Sequence, residues 1–124
     1  SANDMMDTDL VSATGVDAET LAAVRAFLAK LPAHFALAEA FLFGSRARGV
    51  HRPDSDADVA VMLHGPPGGF VATKLALADL AYDVLLDTGI RIQPFPIWEE
   101  EWANPGAYPN PRLLENIGRE GIRL

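Results

Sequence analysis

The sequence predicts an α/β (α+β) fold class, a small mixed β-sheet flanked by helices in the order α-β-turn-β-α-β-α. Three observations lead there. The chain has 124 residues, 49% of them hydrophobic, which is enough for one core and too little for two. Helical and strand periodicities alternate along it, separated by Pro and Gly punctuation. No internal repeat or low-complexity tract breaks that alternation.

Residues 1–14 are expected to be a disordered N-terminal segment without a structural role, and residues 15–124 a single domain. Asp17 is read as the N-cap of a first helix, whose apolar residues Leu21, Val24, Leu28 and Leu31 recur at helical spacing until Pro32 stops it. Ala40–Phe43 is a short apolar run ending at Gly44, too short for a helix and therefore a buried strand. From Ala57 to Leu63 the chain alternates, with Ala57, Val59, Val61 and Leu63 on one side and Asp56, Asp58, Ala60 and Met62 on the other, the pattern of a half-buried strand. The run Gly65-Pro-Pro-Gly-Gly69 ends it. Phe70–Asp87 is apolar around most of a helical wheel, which predicts a helix covered on two sides, with Gly89 as its C-terminal stop. Ile90–Ile97 is the third strand. Asn110 and Pro111 form a cap and first turn for a last helix carrying Leu113, Leu114 and Ile117 and ending near Gly121.

Charge and composition exclude several functions. Ten Lys and Arg against seventeen Asp and Glu give a formal charge of −7, which opposes non-specific binding to nucleic acid or to an anionic bilayer. With no cysteine, disulfides, thiolate zinc sites and a cysteine nucleophile are ruled out. No apolar stretch approaches the roughly 20 residues that cross a bilayer, and residues 1–6 lack the basic and apolar blocks of a signal peptide. A cytoplasmic location without membrane association is expected. His34, His51 and His64 do not share a helical ligand spacing, so they do not suggest a zinc site.

The chemistry concentrates between Gly44 and Asp58. A Gly-Ser pair directly after a buried strand lets the backbone approach a ligand closely and turns N–H groups and the Ser45 hydroxyl outward, which suits phosphate oxygens. Arg46, Arg48 and Arg52 add local positive charge. Asp56 and Asp58, at i and i+2 on a strand, send both carboxylates from one face with Cα atoms on the order of 6 to 7 Å apart. That spacing suits shared Mg²⁺ or Mn²⁺, hard ions that complete their shells with phosphate and water. Two competing motifs fail residue by residue. Gly44–Gly49 begins like a P-loop, but Val50 and His51 stand where Lys and Ser/Thr are required. Asp54, Asp56 and Asp58 begin like an EF-hand loop, but Val59 and Gly65 occupy the Gly and Glu positions.

The full pattern, Gly44-Ser45, ten residues, then Asp56-x-Asp58 on a strand, resembles the nucleotidyltransferase superfamily that includes polymerase β-like enzymes. It is similar in particular to the minimal nucleotidyltransferases encoded beside HEPN-domain proteins in prokaryotic toxin-antitoxin pairs. The likeness runs from about Asp17 to Leu124. It implies a nucleotidyltransferase fold, with Gly44, Ser45, Arg46 and Arg48 binding the triphosphate and Asp56 and Asp58 holding catalytic Mg²⁺ or Mn²⁺. It further implies transfer of AMP from ATP to a hydroxyl of a HEPN-type partner protein, the chain serving as antitoxin. Self-association as a homo-oligomer stays open. Family members commonly carry a third acidic residue on the next strand, where this chain has Gln93, so the alternative is a catalytically impaired antitoxin that binds nucleotide and partner and acts by occlusion. Gln93, Arg91 and Arg52 are candidate cleft-lining residues. Glu99-Glu100-Glu101 is read as a surface charge run, and Trp98, Trp102 and Tyr108 as packing anchors.

Overall fold

In a computed structural model, the structure describes residues 15–124; the disorder expected for residues 1–14 lies outside the described residues. Helix α1 (Ala18–Lys30) starts at Asp17, whose carboxylate accepts from the Thr20 N–H at 3.0 Å, and passes into a 3₁₀ turn at Leu31–Ala33 containing Pro32. Then follow β1 (Leu37–Phe43), a four-residue helix α2 (Ser45–Arg48), β2 (Ala57–Leu63), the long helix α3 (Phe70–Thr88) and β3 (Ile92–Trp98). The chain ends with α4 (Glu99–Ala103), a 3₁₀ turn at Pro105–Ala107, α5 (Pro111–Glu120) and the two-residue β4 (Ile122–Arg123).

The four strands form one mixed sheet in the order β3-β2-β1-β4. β1 runs antiparallel to both β2 and β4, whereas β2 and β3, joined through α3, are parallel. The register sorts side chains cleanly onto two faces. Leu42, Val59 and Ile92 turn to a core built with Leu21, Val24 and Phe27 of α1 and Leu77 and Val84 of α3. Phe43, Ala60 and Ile97 turn to a smaller second core closed by Tyr108 and by Leu114 and Ile117 of α5.

Several expectations need correction. β1 begins at Leu37, three residues before the apolar run, because cross-strand pairing with β2 extends through the less apolar Leu37–Glu39. β2 is not half-buried: Ala60 and Met62 are as inaccessible as Val59 and Val61, since α5 and the segment around Tyr108 cover the second face. The helix α3 is covered on one side only; Leu77, Ala81 and Val84 are buried while Val71, Leu75, Tyr82 and Leu86 face outward. β3 starts at Ile92 rather than Ile90 and ends at Trp98. Helix α4 and strand β4 were not foreseen. Glu101 is not part of a solvated run but is buried, its Oε1 accepting from the Trp98 N–H at 3.1 Å to start α4. The aromatic anchors do pack: Trp98 and Tyr108 are buried, and Trp102 stacks on Phe41 with ring centroids 6.1 Å apart. No helix among the described residues is long and apolar enough to cross a membrane.

Candidate active site

The sheet brings Gly44 and Asp58 together. Asp58 is paired with Phe43 on one side and with Gln93 on the other, so Phe43, Asp58 and Gln93 form one row across three strands on the same face. Gly44 follows Phe43 with φ 77° and ψ −160°, a backbone conformation open to glycine and costly for other residues. A Cβ at Gly44 would collide with the Asp58 carboxylate. Glycine is thus required twice, by backbone angle and by the acid beside it. Ser45 then opens α2, whose first N–H groups have no partner inside so short a helix.

Asp56 directly precedes β2, and Asp58 lies in its first turn of pleat. Burial pushes the Asp58 carboxyl from its ordinary 3.8 up to about 6; the Asp56 charge adds to the rise, Arg48 opposes it and Glu120 adds to it. Two carboxylates that repel in this way are what a divalent cation relieves. Among the described residues no cluster of three or more His, Asp or Glu side chains is arranged for a metal. The candidate donor set is the Asp56 and Asp58 pair. It fits a Mg²⁺ or Mn²⁺ that takes its remaining oxygens from phosphate and water, and does not fit a closed structural site.

The arginines part company. Arg46 was expected at a phosphate, but it is buried and committed to protein acceptors: Nε donates to the Ser55 carbonyl at 2.8 Å, Nη1 to Thr20 Oγ1 at 2.8 Å and Nη2 to the Pro53 carbonyl at 3.1 Å. It braces the loop before β2 against α1 instead of meeting solvent. Arg48 is exposed, and its Nη1 donates to both Glu120 oxygens at 3.1 Å; both members of the pair act on Asp58. Arg52 is exposed, its backbone closing a turn with Ser55, and it forms no ion pair among the described residues. Gln93 is exposed beside Asp58, as the strand phase required. Arg91 precedes β3 and lines a groove with Ala78, Tyr82 and Leu85 of α3, on the helix-covered side rather than with Asp58.

Glu120 and Thr20 were missed in the sequence. Glu120 sits 72 residues from the Arg48 it holds, and no local motif announces it. For Thr20 the signal was present in part: it lies three residues after the predicted cap, and its hydroxyl donates to Asp17 at 2.6 Å while accepting from Arg46.

Residues 23–105 match the family model of the nucleotidyltransferase domain. That span holds Gly44, Ser45, Asp56, Asp58 and Gln93. Among solved structures, a provisionally assigned nucleotidyltransferase from Sulfolobus solfataricus is 23% identical, with a TM-score of 0.43 and 67% of each chain covered. No curated protein matches significantly.

Proposed function

The chain belongs to the nucleotidyltransferase domain family, and from that premise we propose that it transfers AMP from ATP, with Mg²⁺ or Mn²⁺, to a hydroxyl of a HEPN-type partner protein, acting as its antitoxin. The observation that carries this reading is the closeness of Gly44 to the Asp58 carboxylate, which leaves no room for a Cβ and would set a phosphate-binding turn beside a metal-binding pair. The identity of the partner rests on the resemblance carried by Gly44-Ser45 and Asp56-x-Asp58.

Asp56 and Asp58 would hold the cation, which when bound offsets charge on the attacking and leaving oxygens of the in-line displacement. The glycine at position 44 lets phosphate oxygens reach the backbone, Ser45 adds a hydroxyl donor, and Arg48 supplies positive charge at the cost of its bond to Glu120. The acceptor hydroxyl oxygen bonds to the α-phosphorus as the bond from that phosphorus to the oxygen bridging to the β-phosphate breaks; pyrophosphate leaves with that oxygen and the hydroxyl proton passes to water.

The second reading, occlusion by an impaired antitoxin, is favoured by one observation: the amide of Gln93 stands directly beside Asp58 in the sheet. An amide is a weaker ligand for a hard cation than a carboxylate and is no base near neutral pH. Mass spectrometry separates the two readings. After incubation with ATP and Mg²⁺, a HEPN-type partner co-purified from the native host gains nucleotide mass if transfer occurs, and the gain is absent with Asp58→Asn. A neutralised partner of unchanged mass supports occlusion instead.

A further inference from the structure

Among the described residues five large hydrophobic side chains are exposed, and four of them lie on α3: Val71, Leu75, Tyr82 and Leu86, each between 59% and 69% exposed. Successive spacings of four, seven and four residues set them within a strip about 60° wide along the helix. The opposite face of α3 packs Leu77, Ala81 and Val84 on the sheet, so the strip points away from the protein. Singly exposed apolar residues are ordinary, whereas four aligned on one helix mark a contact surface. One flank carries Asp79, Asp83 and Asp87, a line at i, i+4 and i+8, all exposed. The other flank opens into a groove of about 220 Å³ that continues the apolar surface through Ala78 and Leu85 to Ile92 and is also lined by Arg91, so the acidic charge lies on the Asp flank alone.

The surroundings select the occupant. β3 is the edge strand beside this surface, and Pro94 and Pro96 leave it without N–H groups at two positions where an added strand would bond. Strand addition is thereby disfavoured, and a helix lying in the groove remains. The Asp line calls for positive charge on that helix. A second copy of the chain brings the same Asp line and a formal charge of −7, and residues 1–14 carry Asp4, Asp7 and Asp9 with no Lys or Arg. We infer that α3 docks an amphipathic helix of another protein, its apolar face on Val71, Leu75, Tyr82 and Leu86 and its Lys- or Arg-bearing flank on Asp79, Asp83 and Asp87. The inference is independent of nucleotide transfer, because α3 carries none of the residues assigned to the nucleotide site.

The test uses two synthetic helical peptides of the same length as α3, with one leucine seam and a flank of either Lys or Glu, titrated by fluorescence anisotropy. The Lys-flanked peptide is expected to bind at least tenfold more tightly. Tyr82→Ser combined with Leu86→Ser should weaken it at least tenfold, with folding confirmed by circular dichroism. Asp79→Asn, Asp83→Asn and Asp87→Asn together should weaken it severalfold, whereas the same charge change made at Glu19, Glu100 and Glu115 should not. Equal loss in both triple variants, no loss on removing Tyr82 and Leu86, or no binding of the Lys-flanked peptide overturns the inference. So does a dimer in light scattering that the Tyr82→Ser and Leu86→Ser variant dissolves, which would make a second copy the occupant. Tighter peptide binding after deletion of residues 1–14 would assign the surface to the chain's own segment and overturn it as well.

Discussion

Arg46 and Arg48 leave the same short helix two residues apart, yet one guanidinium is spent on Thr20, Pro53 and Ser55 while the other reaches Glu120 at the surface. Removing a buried set of three hydrogen bonds costs more than removing an exposed ion pair. Arg46→Met should lower unfolding free energy by about 2 to 4 kcal/mol, and Arg48→Ala by less than about 1 kcal/mol. Arg48→Ala should instead weaken nucleotide binding, so urea unfolding and nucleotide titration of both variants ought to give opposite rankings. Asp58 makes a prediction in pH. Burial holds its native carboxyl at about 6 against the ordinary 3.8, so between these values the native state holds a proton that the unfolded chain has lost. Stability of the metal-free protein should therefore fall as pH rises from about 4 to 6 and then level off. Asp58→Asn removes that slope, giving a gain of about 1 kcal/mol at pH 7, after allowance for solvent screening, and none at pH 4. Melting curves in chelator from pH 4 to 7 would show it; parallel curves for parent and variant would contradict the assigned cause.

The first helix is tied to the site by its cap. Asp17 accepts from the Thr20 N–H and hydroxyl, and the Thr20 hydroxyl accepts from Arg46, so one N-terminal cap links α1 to the loop that presents Asp56. Burial would raise the Asp17 carboxyl, but the two Thr20 hydrogen bonds and His51 outweigh it and hold the group below 3.8. The sign is opposite to that of Asp58. This contribution is fully present above about pH 4 and is lost as pH falls through the lowered native value. Asp17→Ala should cost about 1 to 2 kcal/mol near neutrality, the usual loss of a cap, and the cost should shrink in acid. Calorimetry of both proteins at pH 7 and pH 3 measures the difference. The strands show a related dependence on neighbours. β2 reads as half-buried because its second face holds Asp58 and the small Ala60; Asp58 does stay half-buried, and the rest of that face is covered only when α5 arrives from more than 40 residues downstream.

At the scale of the whole molecule, strand pairing decides what surrounds Asp58. The parallel register of β2 and β3 sets Gln93 directly beside it. Gln93→Asp would place another carboxylate in the row and crowd like charges in the metal-free protein. The variant should therefore melt lower than the parent without metal and gain more on titration with Mg²⁺ or Mn²⁺, since added carboxylates strengthen binding of a hard cation. Identical responses in the two proteins would remove Gln93 from the metal site.

The sequence by itself determined the type and order of α1, β1, β2, α3, β3 and α5, the cap at Asp17, and the Gly44-Ser45 and Asp56-x-Asp58 constellation. These are local signals: a period, a cap or a spacing is complete within a few residues of chain. Only the tertiary structure decided that Arg46 is a brace, that Glu120 faces Arg48, that Glu101 is buried and that α3 keeps an apolar strip uncovered. Each of these depends on which distant surface packs against a side chain. An arginine in a basic turn reads the same whether its partner is a phosphate or a carbonyl of the folded loop, and burial is set by the elements that assemble around it.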